Sequence, residues 1–138
     1  MDIRPLTEDF AVAPQIAPDE IAEIKALGYA SILCNRPDGE ELGQPDYAAI
    51  EAAAKAEGMQ IAWVPIVSGM VTEEAMTDFA TALDEMPKPI LAYCRSGTRC
   101  TMLWTIARHG DLPEAELIER TSNAGYDMSG LLRQLQAR

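Results

Sequence analysis

Ile90-Leu91-Ala92-Tyr93-Cys94-Arg95-Ser96-Gly97-Thr98-Arg99-Cys100-Thr101-Met102-Leu103-Trp104-Thr105-Ile106-Ala107 passes from unbroken β character, through a polar loop, into a run that is apolar on nearly every face. Ile90 to Tyr93 is too short for a free-standing helix and fits a central parallel strand covered on both sides. Cys100 to Ala107 is predicted as a helix buried in the middle of the protein. In an open α/β sheet, ligands bind beyond the carboxyl ends of the strands, which puts Cys94–Arg99 at that edge.

Working outward, strands and helices alternate. Upstream, Thr72–Met86 repeats Met76, Phe79, Ala80 and Leu83 at helical spacing and is stopped by Pro87 and Pro89. Before it, Ile61–Val67 reads as a strand bent by Pro65, followed by a Ser68-Gly69-Met70 loop. Pro45–Glu57 is a helix with Tyr47, Ile50 and Ala54 on one face, closed by Gly58. Tyr29–Cys34 is a buried strand that ends in the polar turn 35–41. Pro18-Asp19-Glu20 starts a helix with Ile21, Ile24 and Leu27 on its apolar face, and Phe10–Ala13 is the opening strand. Downstream, Asp111 is expected to cap a helix with Pro113 and Glu114 in its first turn, and Tyr126–Arg138 to form a last helix. The expected fold class is α/β, a mainly parallel central sheet flanked by helices.

The 138 residues make one domain, 1–138, with 113–138 as a C-terminal helical extension. The chain has 11 Lys+Arg against 22 Asp+Glu, a formal charge of −11. A nucleic-acid binder needs a basic stripe and a membrane-surface protein needs basic clusters; neither is present, so no nucleic acid and no membrane partner is expected. No apolar run approaches a membrane span, and Met1-Asp2-Ile3-Arg4-Pro5 lacks the layout of a signal peptide, so a cytoplasmic location is expected. Three cysteines argue against a disulfide framework, and one histidine argues against a multi-histidine metal site; no metal and no cofactor is expected.

A strand turning sharply into a helix aims successive backbone N–H groups at one point, and the helix dipole adds positive charge there. A cysteine at that focus, beside Arg95 and Arg99, should have a depressed pKa and act as a nucleophile without histidine. Cys94 and Arg99 are therefore the candidate catalytic pair. Arg95, Ser96, Gly97 and Thr98 are the substrate-binding candidates, with Gly97 letting the backbone curl. The same cradle would bind a tetrahedral oxyanion, so a small anionic sulfur or phosphate compound is the expected substrate. Four accessory candidates lie near: Arg36 for an anionic donor, Asp38 as a displaced general acid, Ser68 as a hydrogen-bonding group, and Cys100 as a sulfur acceptor or disulfide partner. Plainer readings compete with these: an Arg36–Asp38 surface pair, a turn at Ser68 and core filling by Cys100. Cys34, Trp63 and Trp104 read as core, and His109 as a residue meeting terminal helix carbonyls.

Tyr93-Cys94-Arg95-Ser96-Gly97-Thr98-Arg99 resembles the active-site loop of the rhodanese sulfurtransferases, with four residues between cysteine and arginine. Together with Asn35-Arg36-Pro37-Asp38-Gly39-Glu40-Glu41 and Val64-Pro65-Ile66-Val67-Ser68-Gly69, the chain resembles the phosphatase-like domain of the beta-lactamase hydrolase-like proteins over most of residues 1–110. The resemblance implies a tyrosine- or dual-specificity-phosphatase-like fold carrying a rhodanese-length loop. It also implies a persulfide dioxygenase-type partner, since relatives join this domain to a metallo-hydrolase-fold domain. Two departures bear on the chemistry. Tyrosine and dual-specificity phosphatases place one residue more between cysteine and arginine, and they keep an aspartate general acid on an upstream loop that here reads Val67-Ser68-Gly69-Met70. Both departures favour a sulfurtransferase carrying sulfane sulfur from thiosulfate or a persulfide through a Cys94 persulfide. The alternatives are a phosphatase forming a phosphocysteine at Cys94, and a non-catalytic module that binds an oxyanion or senses redox state through Cys94 and Cys100.

Overall fold

The computed structural model describes residues 1–136. Strands β1 (Arg4–Pro5), β2 (Phe10–Ala13), β3 (Ser31–Cys34), β4 (Gln60–Trp63) and β5 (Ile90–Tyr93) form one sheet in the order β1-β2-β5-β3-β4. β2, β5, β3 and β4 run parallel, whereas β1 pairs antiparallel with β2 at the edge. In the parallel register Ala13 faces Tyr93, Tyr93 faces Cys34, and Cys34 faces Trp63. All four strands thus end on one edge, with β5 in the centre of the parallel set.

The alternation of side chains along β5 sorts the helices into two layers. Ile90 and Ala92 pack on one face with α3 (Glu73–Glu85), α4 (Thr98–Arg108), α5 (Glu114–Asn123) and α6 (Ser129–Gln136), through Phe79, Leu83, Leu103, Trp104, Leu117 and Leu132. Leu91 and Tyr93 face the other way, onto α1 (Ile21–Ala26) and α2 (Tyr47–Ala56), through Ile21, Ile24, Ile50 and Ala54. Every β5 side chain is buried, and each large aliphatic one contributes roughly 1.5–3 kcal/mol by leaving water. The strand is therefore fixed from both sides, and so is the loop that follows it.

Helix α4 buries two threonines without penalty, because the Thr101 and Thr105 hydroxyls donate to the carbonyls of Gly97 and Thr101 one turn back, both at 2.8 Å. No helix among the described residues is long and apolar enough to cross a membrane.

Several local expectations are corrected. Strand β4 stops at Trp63, not Val67; beyond it the Val64 and Ile66 N–H groups donate to Cys34 and Asn35 on either side of Pro65, which has no N–H to give. Trp63 is 41% exposed, not core: its ring stacks on Tyr47 at 4.6 Å and its Nε1–H donates to the Arg36 carbonyl. Leu27 lies beyond the end of α1 and is exposed. Asp111 does not cap α5; its N–H closes a turn onto Arg108, and Pro113 takes the N-cap position. The last helix begins at Ser129, where Asp127 accepts the Ser129 N–H, so Tyr126 is in the connection, and the predicted end at 137–138 lies outside the described residues.

Candidate active site

Cys94 is the first residue after β5, and its side chain is fully buried on the α4 side of the sheet. The chain turns into α4 at once. Gly97, at φ +90°, stands at the N-cap, a left-handed conformation that glycine adopts without strain. That turn directs the Gly97 N–H onto the Cys94 sulfur at 3.1 Å. The Cys94 thiol is lowered to about 5, chiefly because the Cys100 thiol donates to it, and then because the N–H groups of Cys100, Ser96 and Arg99 converge on it; these outweigh the cost of burial. Cys100, fully buried in the first turn of α4, is pushed well upward by that burial and keeps the proton it donates. At neutral pH Cys94 is a thiolate. Cys34 is the contrast: at the end of β3 its burial raises it to about 11, and it remains a core thiol.

Arg99 completes the loop, with its side chain only 10% exposed. Its Nη1 donates to Glu40 Oε2 and to the Ile66 carbonyl, both at 2.8 Å, and its Nη2 donates to Glu40 Oε1 at 2.7 Å. Glu40 also accepts from Arg36 Nε at 3.0 Å. Paired first to Arg99 and then to Arg36, its carboxyl is held down at about 2. Glu40 is thus a permanent anion that bridges two arginines.

The expected binding residues fall into two groups. Gly97 is buried and its N–H faces the sulfur, whereas Arg95, Ser96 and Thr98 are exposed at the mouth. Ser96 and Thr98 bond to each other through their hydroxyls at 2.9 Å, and Arg95 Nη2 pairs with Glu41 at 3.1 Å. Arg36 is brought to the site, but as a 1%-exposed residue held by Glu40 and by Gln15 Oε1. The Arg36–Asp38 surface pair does not form. Asp38 instead accepts the Tyr47 N–H at 2.8 Å at the start of α2, which ties it to a helix end and not to Cys94. Ser68 is exposed in the loop after β4; from that loop it is the Ile66 carbonyl that touches Arg99.

Three residues went unread in the sequence. Glu40 and Glu41 stand in a polar turn, and only the excess of arginine at the sheet edge hints that an anion must answer it. Tyr126 left no signal at all: from the connection between α5 and α6 its hydroxyl donates to the Ser96 carbonyl at 2.9 Å, and Arg4 lies over its ring at 5.3 Å. A Cβ at Gly97 would fall 2.2 Å from that hydroxyl. Gly97→Ala is therefore expected to cost about 1–3 kcal/mol and to raise the Cys94 pKa, because the left-handed turn and the Tyr126 contact both oppose it. Thermal melting and the pH dependence of Cys94 alkylation check this; pairing it with Tyr126→Phe should recover the part of the loss that comes from the hydroxyl contact and leave the part that comes from the left-handed φ.

Comparison with known proteins agrees with this geometry. The family described as "Beta-lactamase hydrolase-like protein, phosphatase-like domain" matches residues 2–111, which include the whole loop but not Tyr126. A beta-lactamase hydrolase-like protein of Xylella fastidiosa strain 9a5c is 36% identical over 99% of the chain. The chain spans only 32% of that relative. The crystal structure of a phosphatase-like protein from Neisseria meningitidis superposes with a TM-score of 0.87 at 33% identity, covering 100% of this chain and 99% of the other. Tk-PTP in its active form shares the fold at a TM-score of 0.74 and 16% identity, over 99% and 97% of the two chains. These likenesses make the chain a phosphatase-like domain. The buried thiolate, its arginine and the sheet edge that presents them all lie within the matched span, and the chain belongs to the phosphatase-like domain family of the beta-lactamase hydrolase-like proteins.

Proposed function

We propose that the chain is a cysteine-dependent phosphatase. The observation that carries this reading is which edge of Arg99 is left open. Both Nη1 hydrogens and one Nη2 hydrogen are taken by Glu40 and Ile66. Among the described residues the Nε–H and the second Nη2–H, which share the other edge of the guanidinium plane, meet no acceptor. Two parallel donors match two oxygens of a tetrahedral oxyanion. Glu40 presents that fork and does not compete with the substrate for it.

In the reaction so read, the Cys94 thiolate attacks phosphorus, the bond to the leaving oxygen breaks with its electron pair, and a phosphocysteine forms under the loop amides. Water then cleaves the P–S bond, returning the thiolate. Glu40, ionised down to about 2, has no proton to give, and Val67–Met70 holds no acid. The favoured substrates are therefore esters or anhydrides whose leaving group departs as a stabilised anion.

Sulfur transfer is the second reading, favoured by the four-residue spacing and by the same missing acid, since sulfite or a thiolate leaves unassisted. A metallo-hydrolase-fold partner of the persulfide dioxygenase type belongs to this reading. One experiment separates the two: intact mass after rapid acid quench with p-nitrophenyl phosphate, and separately after thiosulfate. A phosphoryl adduct at Cys94 with Cys94-dependent release of nitrophenol is the expected result. A sulfur adduct alone would transfer the assignment to the second reading.

A further inference from the structure

We propose that Glu41 occupies a second anion position beside the Cys94 loop, and that the substrate carries a second phosphate which takes that place on Arg95 and Arg36. The inference deepens the phosphatase reading and rests on it for the identity of the first phosphate.

Arg36 supplies the first observation. Its guanidinium is buried, its Nε and Nη1 are bonded to Glu40 and Gln15, and its Nη2 has no hydrogen-bond partner among the described residues. Glu41 Oε1 lies 3.9 Å from Nη2, outside bonding distance. A buried charged donor left one contact short is an unfinished site.

The second observation is the other side of the same carboxylate. Glu41 Oε2 takes a bond from Arg95 Nη2 at 3.1 Å, so one carboxylate lies between an exposed arginine of the reactive loop and a buried one behind it. Its two oxygens serve one donor well and the other poorly. A phosphate, with a third oxygen and more charge, can meet Arg95 and still reach Arg36 Nη2.

Glu41 is also easily displaced. Its side chain is 50% exposed, its arginine partner is 66% exposed, and such pairs contribute little once water competes. The next residue, Leu42, is fully exposed and anchors nothing. Glu40 is the opposite: bonded on both sides to buried arginines, it stays. Adjacent glutamates thus divide the work, one holding Arg99 and one keeping a place that substrate can take. The two positions are neighbours, because Arg36 touches Glu40 through Nε and faces Glu41 through Nη2 of one guanidinium.

Calorimetric titration of the full chain with inorganic phosphate, pyrophosphate and triphosphate tests the assignment without relying on turnover. For wild type, the better of the two longer anions should bind about tenfold tighter than phosphate. Glu41→Ala should widen that ratio about threefold or more by vacating the position, and Arg95→Ala should narrow it toward unity. Both substitutions are at exposed side chains, so folding is not at issue. A ratio that neither variant moves, or absence of binding by all three anions, overturns the second position. Failure of the phosphatase reading shows separately, as no phosphoryl adduct on Cys94 while the ratios still respond.

Discussion

Cys94→Ser is expected to abolish turnover of p-nitrophenyl phosphate, by about 10⁴-fold or more, while leaving the melting temperature near that of wild type. The reason is the ionisation of the residue and not only its place. Gly97, Ser96, Arg99 and Cys100 direct their N–H groups, and Cys100 its thiol, at a sulfur they hold near 5; a serine hydroxyl stays protonated in the same cradle and presents no lone-pair anion to phosphorus. The signature that a merely structural cysteine would lack is the pH dependence of alkylation. The rate with iodoacetamide should rise through pH 5 and be flat across the range where an ordinary thiol titrates. Cys100 is the largest single cause of that depression, so Cys100→Ala should move the midpoint upward, and Cys100→Ser, which restores a donor, should move it back toward wild type. A midpoint unchanged by Cys100→Ala would assign the depression to the backbone amides alone.

The parts of this site legible in the sequence are those set by local pattern. Ile90–Tyr93 followed by a glycine-containing polar loop and an apolar run specifies strand, turn and buried helix, because each element buries its own residues and the turn needs a left-handed position at Gly97. What stayed hidden depends on contacts remote in sequence. Glu40 meets Arg99 across 59 positions, and nothing in a polar turn says which of its four charged side chains will be drawn inward. Tyr126 reaches Ser96 from a connection that has no periodicity of its own. β1 has two residues and exists only because β2 offers an edge, which no pattern inside Arg4–Pro5 reveals. Trp63 departs from the expected core for a related reason: burial follows from hydrophobicity only where a neighbour is available, and among the described residues no strand lies beyond β4, so its ring lies flat on Tyr47 instead.

Glu40→Gln is expected to lower stability by about 2 kcal/mol, a fall of roughly 6 °C in melting temperature, and to depress phosphatase activity with it. Glu40 is itself partly exposed, at 24% of its side chain, but removing its charge leaves two buried guanidinium groups without their shared anion: Arg36 at 1% and Arg99 at 10% side-chain exposure. Glutamine does not substitute well. It offers one carbonyl oxygen where the carboxylate used two, and its amide hydrogens face guanidinium donors. The effect on activity should appear mainly as weaker anion binding, because Arg99 loses the partner that turns its Nε/Nη2 edge toward the loop. The pH dependence distinguishes this account from a general loss of packing. The Glu40 carboxyl is lowered to about 2 in the folded chain, so its contribution is fully present above its ordinary titration range and is lost as pH falls through about 2. The gap in stability between wild type and Glu40→Gln should therefore be constant from pH 5 to neutrality and close on acidification toward pH 2. A gap that persists undiminished at pH 2 would mean that Glu40 fills space and does not hold the two arginines by charge.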